Sequence, residues 1–258
     1  MLLFHASSSY YSMIARLALL EARAVFDARR LDIHIAKEQL APWYVAINPA
    51  MTVPALVEDT RTFTDSRDIL GFARTYAGAA WMDADPLTAG HIEQVVSDHY
   101  AIEIEKLTFG RAFLTKPLLR HAFLHFLKRI VVRLRQSLLT AENPEAVQRK
   151  IAVNEGRMAF FASTDLAQRV DAERAKIVAL LEALPREGGM FLFGDRPSSA
   201  DVVVAVLLAR LKMIGLYDEM LNAHRGVDAW YMRYRERDIL RQADLWERFQ
   251  PLRILMKR

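Results

Sequence analysis

A proline at the head of a short apolar run sets the tightest limit on what this chain can fold into. Val53-Pro54 directly precedes Ala55-Leu56-Val57, within the stretch Asn48 to Ser66. Proline has no N–H for a ladder, so Pro54 belongs at the first residue of a strand or on a sheet edge. An X-Pro peptide at such a point can be cis, turning the preceding N–H and C=O outward as partners for an extended peptide. Glu58 to Thr60 read as a turn, and Phe63-Thr64 as the start of a second short strand. Asp65-Ser66 follow where a helix begins. They place a hydroxyl and free N–H groups at a positive helix end, which suits a carboxylate. One stretch thus offers a peptide-pairing edge beside an anion cradle.

The segments before this stretch alternate in type. Met1 to His5 reads as a strand, and Tyr10 to Ala22 as a helix, with Met13, Ile14, Leu17, Leu20 and Ala24 near helical spacing. A second strand is expected from Ala24 to Ile35, on the alternation of Leu31, Ile33 and Ile35. Pro42 to Ile47 holds a short helix before Pro49, and Asp65 to Tyr76 a longer one. The order β-α-β-α-β-β-α describes a thioredoxin-like α/β domain, one mixed sheet carrying helices, over residues 1–78.

Ala77 to Ala80 and Met82 to Pro86 read as a linker, and beyond it the pattern is helical only. Helices are expected over Thr88 to Arg111, over Leu118 to Leu139 behind Pro117, and over Pro144 to Leu184 with a break near Ser163-Thr164. Asp201 to Ile214 leaves little polar face and is expected to be a buried spine ended by Gly215. Ser198 with Asp201 forms a capping box ahead of it. Shorter helices over Val227 to Arg235 and Ile239 to Phe249 complete an all-α domain over residues 87–258.

The chain has 258 residues and no cysteine, so neither a disulfide, a thiolate nucleophile nor a thiolate metal site is available. That usage fits a reducing compartment. The apolar runs are broken by charge before ~18 residues, which excludes a helical membrane span. Met1-Leu2-Leu3-Phe4 lacks the basic start of a signal peptide, and a cytoplasmic location is the expectation. Net charge is only +4, but Lys106 to Ala141 carries Lys106, Arg111, Lys116, Arg120, Lys128, Arg129, Arg133 and Arg135 with no acid. A solvated helix face explains such a run; an anionic substrate, lipid or nucleic acid is the sharper alternative. No nucleic-acid signature accompanies it. His121 and His125 stand four residues apart, but no third ligand is apparent and no metal is expected.

Val-Pro before a strand, then an acid-Ser pair opening a helix, resembles the glutathione-binding half of glutathione S-transferases. Two further segments agree. Ser7-Ser8-Ser9-Tyr10-Tyr11-Ser12-Met13, leading into Ala15-Arg16-Leu17-Ala18-Leu19, resembles the family's hydroxyl-bearing turn and first helix. Phe191-Leu192-Phe193-Gly194-Asp195-Arg196-Pro197-Ser198-Ser199-Ala200-Asp201 resembles its capping box in the helical domain. Within the family the chain looks most like the zeta class of maleylacetoacetate isomerases and the tetrachlorohydroquinone reductive dehalogenases. With the latter it shares the looks of Ser12-Met13, of Val53 to Val57 and of Leu207-Leu208-Ala209-Arg210.

What the resemblance implies is a glutathione site. The Val53 backbone, next to Thr52 and Pro54, would pair with the cysteinyl unit as a strand does. Ser66 with Asp65 would hold the γ-glutamyl end, and Lys37 or Gln39 could meet the glycyl carboxylate, though both also read as plain loop side chains. Thr52 stands where many relatives have Gln or Lys. One hydroxyl of the Ser7–Ser12 turn, Ser9 first and otherwise Ser12 or Tyr11, would stabilise the thiolate; the competing reading of the cluster is a helix N-cap. Tyr10, Tyr100 and Phe109 could line an acceptor pocket, while periodicity alone makes Tyr100 and Phe109 core residues.

Tyr11 falls where the dehalogenases carry the cysteine that resolves a mixed disulfide with glutathione. Without a cysteine that thiol exchange is excluded as a complete mechanism. The resemblance then implies a cytosolic homodimeric transferase in which glutathione attacks a small hydrophobic or aromatic electrophile. A zeta-type isomerase using glutathione as cofactor, and a non-catalytic binding protein on the same fold, are the alternatives.

Overall fold

A computed structural model describes residues 1–186 and 189–250. Its sheet has the strand order β2-β1-β3-β4, with β1 spanning Leu2–His5, β2 Asp27–Arg30, β3 Ala55–Glu58 and β4 Arg61–Phe63. β1 runs parallel to β2 and antiparallel to β3, which is antiparallel to β4. A parallel pair needs a crossover, and helix α1 (Tyr10–Glu21) supplies it. Helix α2 is the four residues Pro42–Val45, and α3 spans Ser66–Ala77 against α1. The expected mixed sheet and its element order are therefore present.

The remaining helices are α4 (Ala89–Ala101), α5 (Ile104–Thr115), α6 (Pro117–Ser137), α7 (Pro144–Ala162), α8 (Leu166–Glu182), α9 (Ser199–Met213), α10 (Tyr217–Leu221), α11 (Arg225–Tyr234) and α12 (Asp238–Ala243). Among the described residues no helix is long and apolar enough to cross a membrane.

The chain forms two compact units. One comprises Met1–Ala41, Thr52–Ala101 and the described residues from Val178 on. Its spine is α9, in which every residue from Ser199 to Leu211 is buried, packed on α1 and α4. Burying a Val or Leu side chain contributes ~1.5–3 kcal/mol, so a helix apolar on all sides is stable only in such a place. Its start is the expected capping box: Ser198 Oγ accepts the Asp201 N–H, and Asp201 Oδ2 accepts the Ser198 N–H at 2.8 Å. Gly215 follows in the left-handed region at φ +70°. Arg16 of α1 ties the C-terminal segment in, donating to the carbonyls of Ala243 at 2.8 Å and Asp244 at 3.1 Å. Glu21, also buried, pairs with Arg237 and accepts the Tyr234 hydroxyl at 2.5 Å.

The other unit comprises Pro42–Met51 and Ile102–Ile177. Its core is an aromatic cluster in which Phe161 meets Phe113 and Phe123 edge-on at 5.3 and 5.5 Å. Gly110 of α5 passes so close to α8 that a Cβ there would lie 2.5 Å from Val170 Cγ2. Three members of the basic run have partners inside the unit. Arg120 donates to the Phe161 and Ser163 carbonyls at 2.6 and 2.8 Å, Arg135 pairs with Glu155, and Lys106 with Glu103.

Several element bounds differ from expectation, each for a local reason. The second strand ends at Arg30 because the Asp32 carboxylate takes the N–H groups of His34, Ile35 and Ala36 and curls the chain. β4 ends at Phe63 rather than starting there, since Glu58 already pairs with Arg61 across a two-residue turn. The helix expected over Thr88 to Arg111 is two helices, α4 and α5. At the break Glu173 Oε2 accepts the Glu103 N–H at 2.8 Å. The helix expected over Ile239 to Phe249 stops at Ala243, with Asp244 at φ +53°. The five-residue α10 has no counterpart among the expected helices.

Candidate functional site

The sheet register brings the three singled-out segments to one end of the first unit. Phe4 pairs with Ala55, so the turn after β1 and the segment before β3 leave the sheet side by side. Leu56 pairs with Phe63, so β4 delivers Thr64 to Ser66 to that same end. There lie the hydroxyl turn, the Val53-Pro54 peptide and the start of α3.

The Val53-Pro54 peptide is cis. Val53 is half-buried and precedes β3, and among the described residues neither its N–H nor its C=O has a hydrogen-bond partner. Pro54 is buried and Thr52 exposed. Asp65 is the N-cap of α3, its Oδ1 accepting the Arg67 N–H at 2.7 Å. Ser66 is 2% exposed, and its Oγ lies 3.1 Å from the Tyr100 hydroxyl.

In the hydroxyl turn the serines have separate positions. Ser9 is the N-cap of α1, its Oγ accepting the Ser12 N–H at 3.3 Å. Ser12 is fully buried, and its Oγ accepts the Ala6 N–H at 3.2 Å, which places it in the framework of the turn. Ser8 Oγ lies 2.8 Å from His34 Nε2, joining the turn to the loop that carries Lys37 and Gln39. Lys37 Nζ and Gln39 Nε2 both donate to the Ile33 carbonyl, at 3.4 and 3.3 Å. Burial lowers the Lys37 pKa. The Tyr11 side chain is exposed.

The residues expected to line an acceptor pocket have the following surroundings. Tyr10 is buried, its hydroxyl 2.6 Å from His99 Nε2, and burial drives its pKa far above the usual value. His99, wholly enclosed, is pushed down to about 3 by the same desolvation. Tyr100 turns its hydroxyl onto Ser66, and Arg67 stacks over its ring at 5.7 Å. Phe109 belongs to the other unit, stacked on Phe123 at 5.0 Å in the aromatic cluster. Among the described residues no group of three His, Asp or Glu side chains could hold a metal ion.

Two family models match this architecture. The glutathione S-transferase N-terminal domain matches residues 8–75, from the hydroxyl turn through α3, and the glutathione S-transferase C-terminal domain matches residues 164–233. Together they cover more than half of the chain.

The chain belongs to the glutathione S-transferase family.

Among curated proteins it is 27% identical over 244 residues to a tetrachloro-p-hydroquinone reductive dehalogenase of Sphingobium chlorophenolicum, covering 91% of this chain and 92% of that one. Among solved structures, an epsilon-class glutathione S-transferase of the housefly Musca domestica superposes with a TM-score of 0.61 at 17% identity, over 94% of this chain and 91% of that one. A delta-class glutathione transferase of Nilaparvata lugens gives 0.59 at 13% identity, over 95% and 96%. These two likenesses are likenesses of fold.

Within this family member the sequence did not show two pairings, Tyr10 with His99 and Ser66 with Tyr100. Both join residues far apart in the chain and leave no local pattern. Arg210 did leave a signal, as a cation inside a helix with almost no polar face.

Proposed function

We propose that this protein binds glutathione along the entry to β3 and at the start of α3, and ionises its sulfur at the turn before α1. The thiolate then attacks a small hydrophobic or aromatic electrophile. The observation that carries this reading is Val53, whose N–H and C=O have no partner among the described residues, at the sheet end that also carries Ser9 and Ser66. A peptide laid there adds as a strand would, through main-chain bonds. Ser66 and the first N–H groups of α3 meet the γ-glutamyl carboxylate, Asp65 its ammonium, and Lys37 or Gln39 the glycyl end.

At the other end Ser9 donates its hydroxyl to the sulfur. A thiol of pKa ~8.5 is largely protonated at neutral pH; a hydroxyl donor and a helix N-terminus both favour the thiolate. With no cysteine in the chain, a mixed disulfide of glutathione has no protein thiol to resolve it. The chemistry proposed is therefore addition, substitution, ether cleavage or isomerisation by bound glutathione. Residues 1–78 would form the glutathione-binding domain and residues 87–258 the acceptor-binding domain of a cytoplasmic homodimer.

Calorimetric titration with glutathione tests the reading. Saturable binding weakened by Ser66→Ala is expected. Absence of binding at cellular glutathione concentrations overturns it.

A further inference from the structure

Arg210 lies on the spine helix α9 and is only 8% exposed. No carboxylate of the described residues pairs with it, and its Nε has no hydrogen-bond partner. One terminal nitrogen donates to the Ser8 carbonyl at a long 3.4 Å, and Cζ stands 5.3 Å from the centre of the Tyr10 ring. A guanidinium withdrawn from water without a counter-charge is costly, and natural cores seldom keep one.

None of the described groups around it supplies that counter-charge. The titratable groups that face it are the phenols of Tyr10 and Tyr11, and Tyr10 is held neutral by burial. Desolvation pulls the guanidinium's own proton affinity down. All these groups sit in one unit, with the N-terminal turn of the twelve-residue α1. That turn adds partial positive charge and N–H groups without intrahelical partners.

We infer that Arg210 makes the hydroxyl turn before α1 an anion site whose occupant is the sulfur of bound glutathione as thiolate. The inference rests on the glutathione reading above. Arg210 touches Ser8 and Tyr10, the two residues flanking Ser9. The γ-glutamyl carboxylate has its own cradle at α3, so the sulfur is the part of glutathione assigned to this turn. A neutral thiol gains little from a nearby cation, whereas a thiolate gains the full attraction, strengthened where water is excluded. Arg210 is thus a positioning residue for charge. It acts through the field at Ser9, and the burial that makes it costly makes it effective.

The test uses the full chain with reduced glutathione, following thiolate absorbance in the ultraviolet against pH. In Arg210→Met the bound thiol should titrate roughly one to two pH units higher than in the wild type, a ten- to hundredfold loss of thiolate at neutral pH. Arg210→Lys should keep at least half of the wild-type shift. Because Met removes an unpaired buried charge, its thermal midpoint should not fall.

A lower midpoint with an unchanged thiol titration in Arg210→Met would assign Arg210 a purely structural role and overturn the inference. So would tighter dependence on Arg210 for binding 4-nitrophenolate over nitrobenzene, with the thiol unmoved, since the anion would then be the acceptor's oxygen. A wild-type protein that binds glutathione with an unshifted thiol overturns the glutathione reading itself, and this inference with it.

Discussion

The hydroxyl of Ser66 lies 3.1 Å from the hydroxyl of Tyr100, so the last turn of α4 reaches the first residue of α3. Its neighbour His99 holds Tyr10, the first residue of α1, at 2.6 Å. Two successive residues of one helix therefore fix the starts of two others.

Tyr100→Phe removes the partner of the Ser66 hydroxyl and keeps the ring under Arg67. A hydrogen bond of this kind has a net worth of ~0.5–1.5 kcal/mol. The apparent glutathione constant should rise roughly two- to tenfold with kcat little changed. Steady-state kinetics at varied glutathione separates the two parameters.

Ser9→Ala and Ser66→Ala should fail in different ways. Loss of the Ser9 cap destabilises α1 by ~1 kcal/mol, and the bound thiol becomes harder to ionise. Loss of Ser66 raises the glutathione constant while leaving the thiol titration in place. If neither variant changes either quantity, the two residues have been assigned to the wrong ligand atoms.

Asp201 is the acceptor for three donors, the N–H groups of Leu192 and Ser198 at 2.8 Å each and the Ser198 hydroxyl at 2.6 Å. Asp201→Ala leaves all three buried without a partner, at ~1–3 kcal/mol for each unsatisfied group. A large fall in the denaturation midpoint is expected, while Asp195→Ala, on an exposed side chain, should leave it unchanged. Equal midpoints for the two variants would show that the capping box is not structural.

Lys150 of α7 donates to the carbonyls of Ala50 and Met51, at 3.2 and 3.0 Å, and burial lowers its pKa to about 8. Unfolded, the amine titrates near its ordinary value of 10.5. Between those two pH values the unfolded chain binds more protons than the folded one, so this group's contribution to stability rises with pH across the window. Below about 8 both states are protonated and the slope vanishes. The stability difference between wild type and Lys150→Met, from denaturant melts at several pH values, should grow from pH 8 upward. A flat difference contradicts the assignment.

The parts of the fold that were legible in the sequence are those fixed by local chemistry. Pro54 marks the entry to β3, Asp65 caps α3, and Ser198 with Asp201 caps α9. The misread parts depend on partners elsewhere or on competition between local signals. Leu31, Ile33 and Ile35 alternate as a strand does, but the Asp32 carboxylate outcompetes the ladder for the N–H groups that follow. The break between α4 and α5 takes a bond from Glu173, seventy positions on. Val53 ahead of β3 and Ser66 at the start of α3 could be placed from sequence because local backbone signals put them there. The pairing of Tyr10 with His99 could not be read, since the two residues lie far apart in the chain.

The most direct measurement is the titration of the glutathione sulfur in the wild-type complex, followed by thiolate absorbance. Ionisation at least about one pH unit below the ~8.5 of a free thiol is the predicted result. A bound thiol that titrates as it does in water would contradict thiolate activation by this protein.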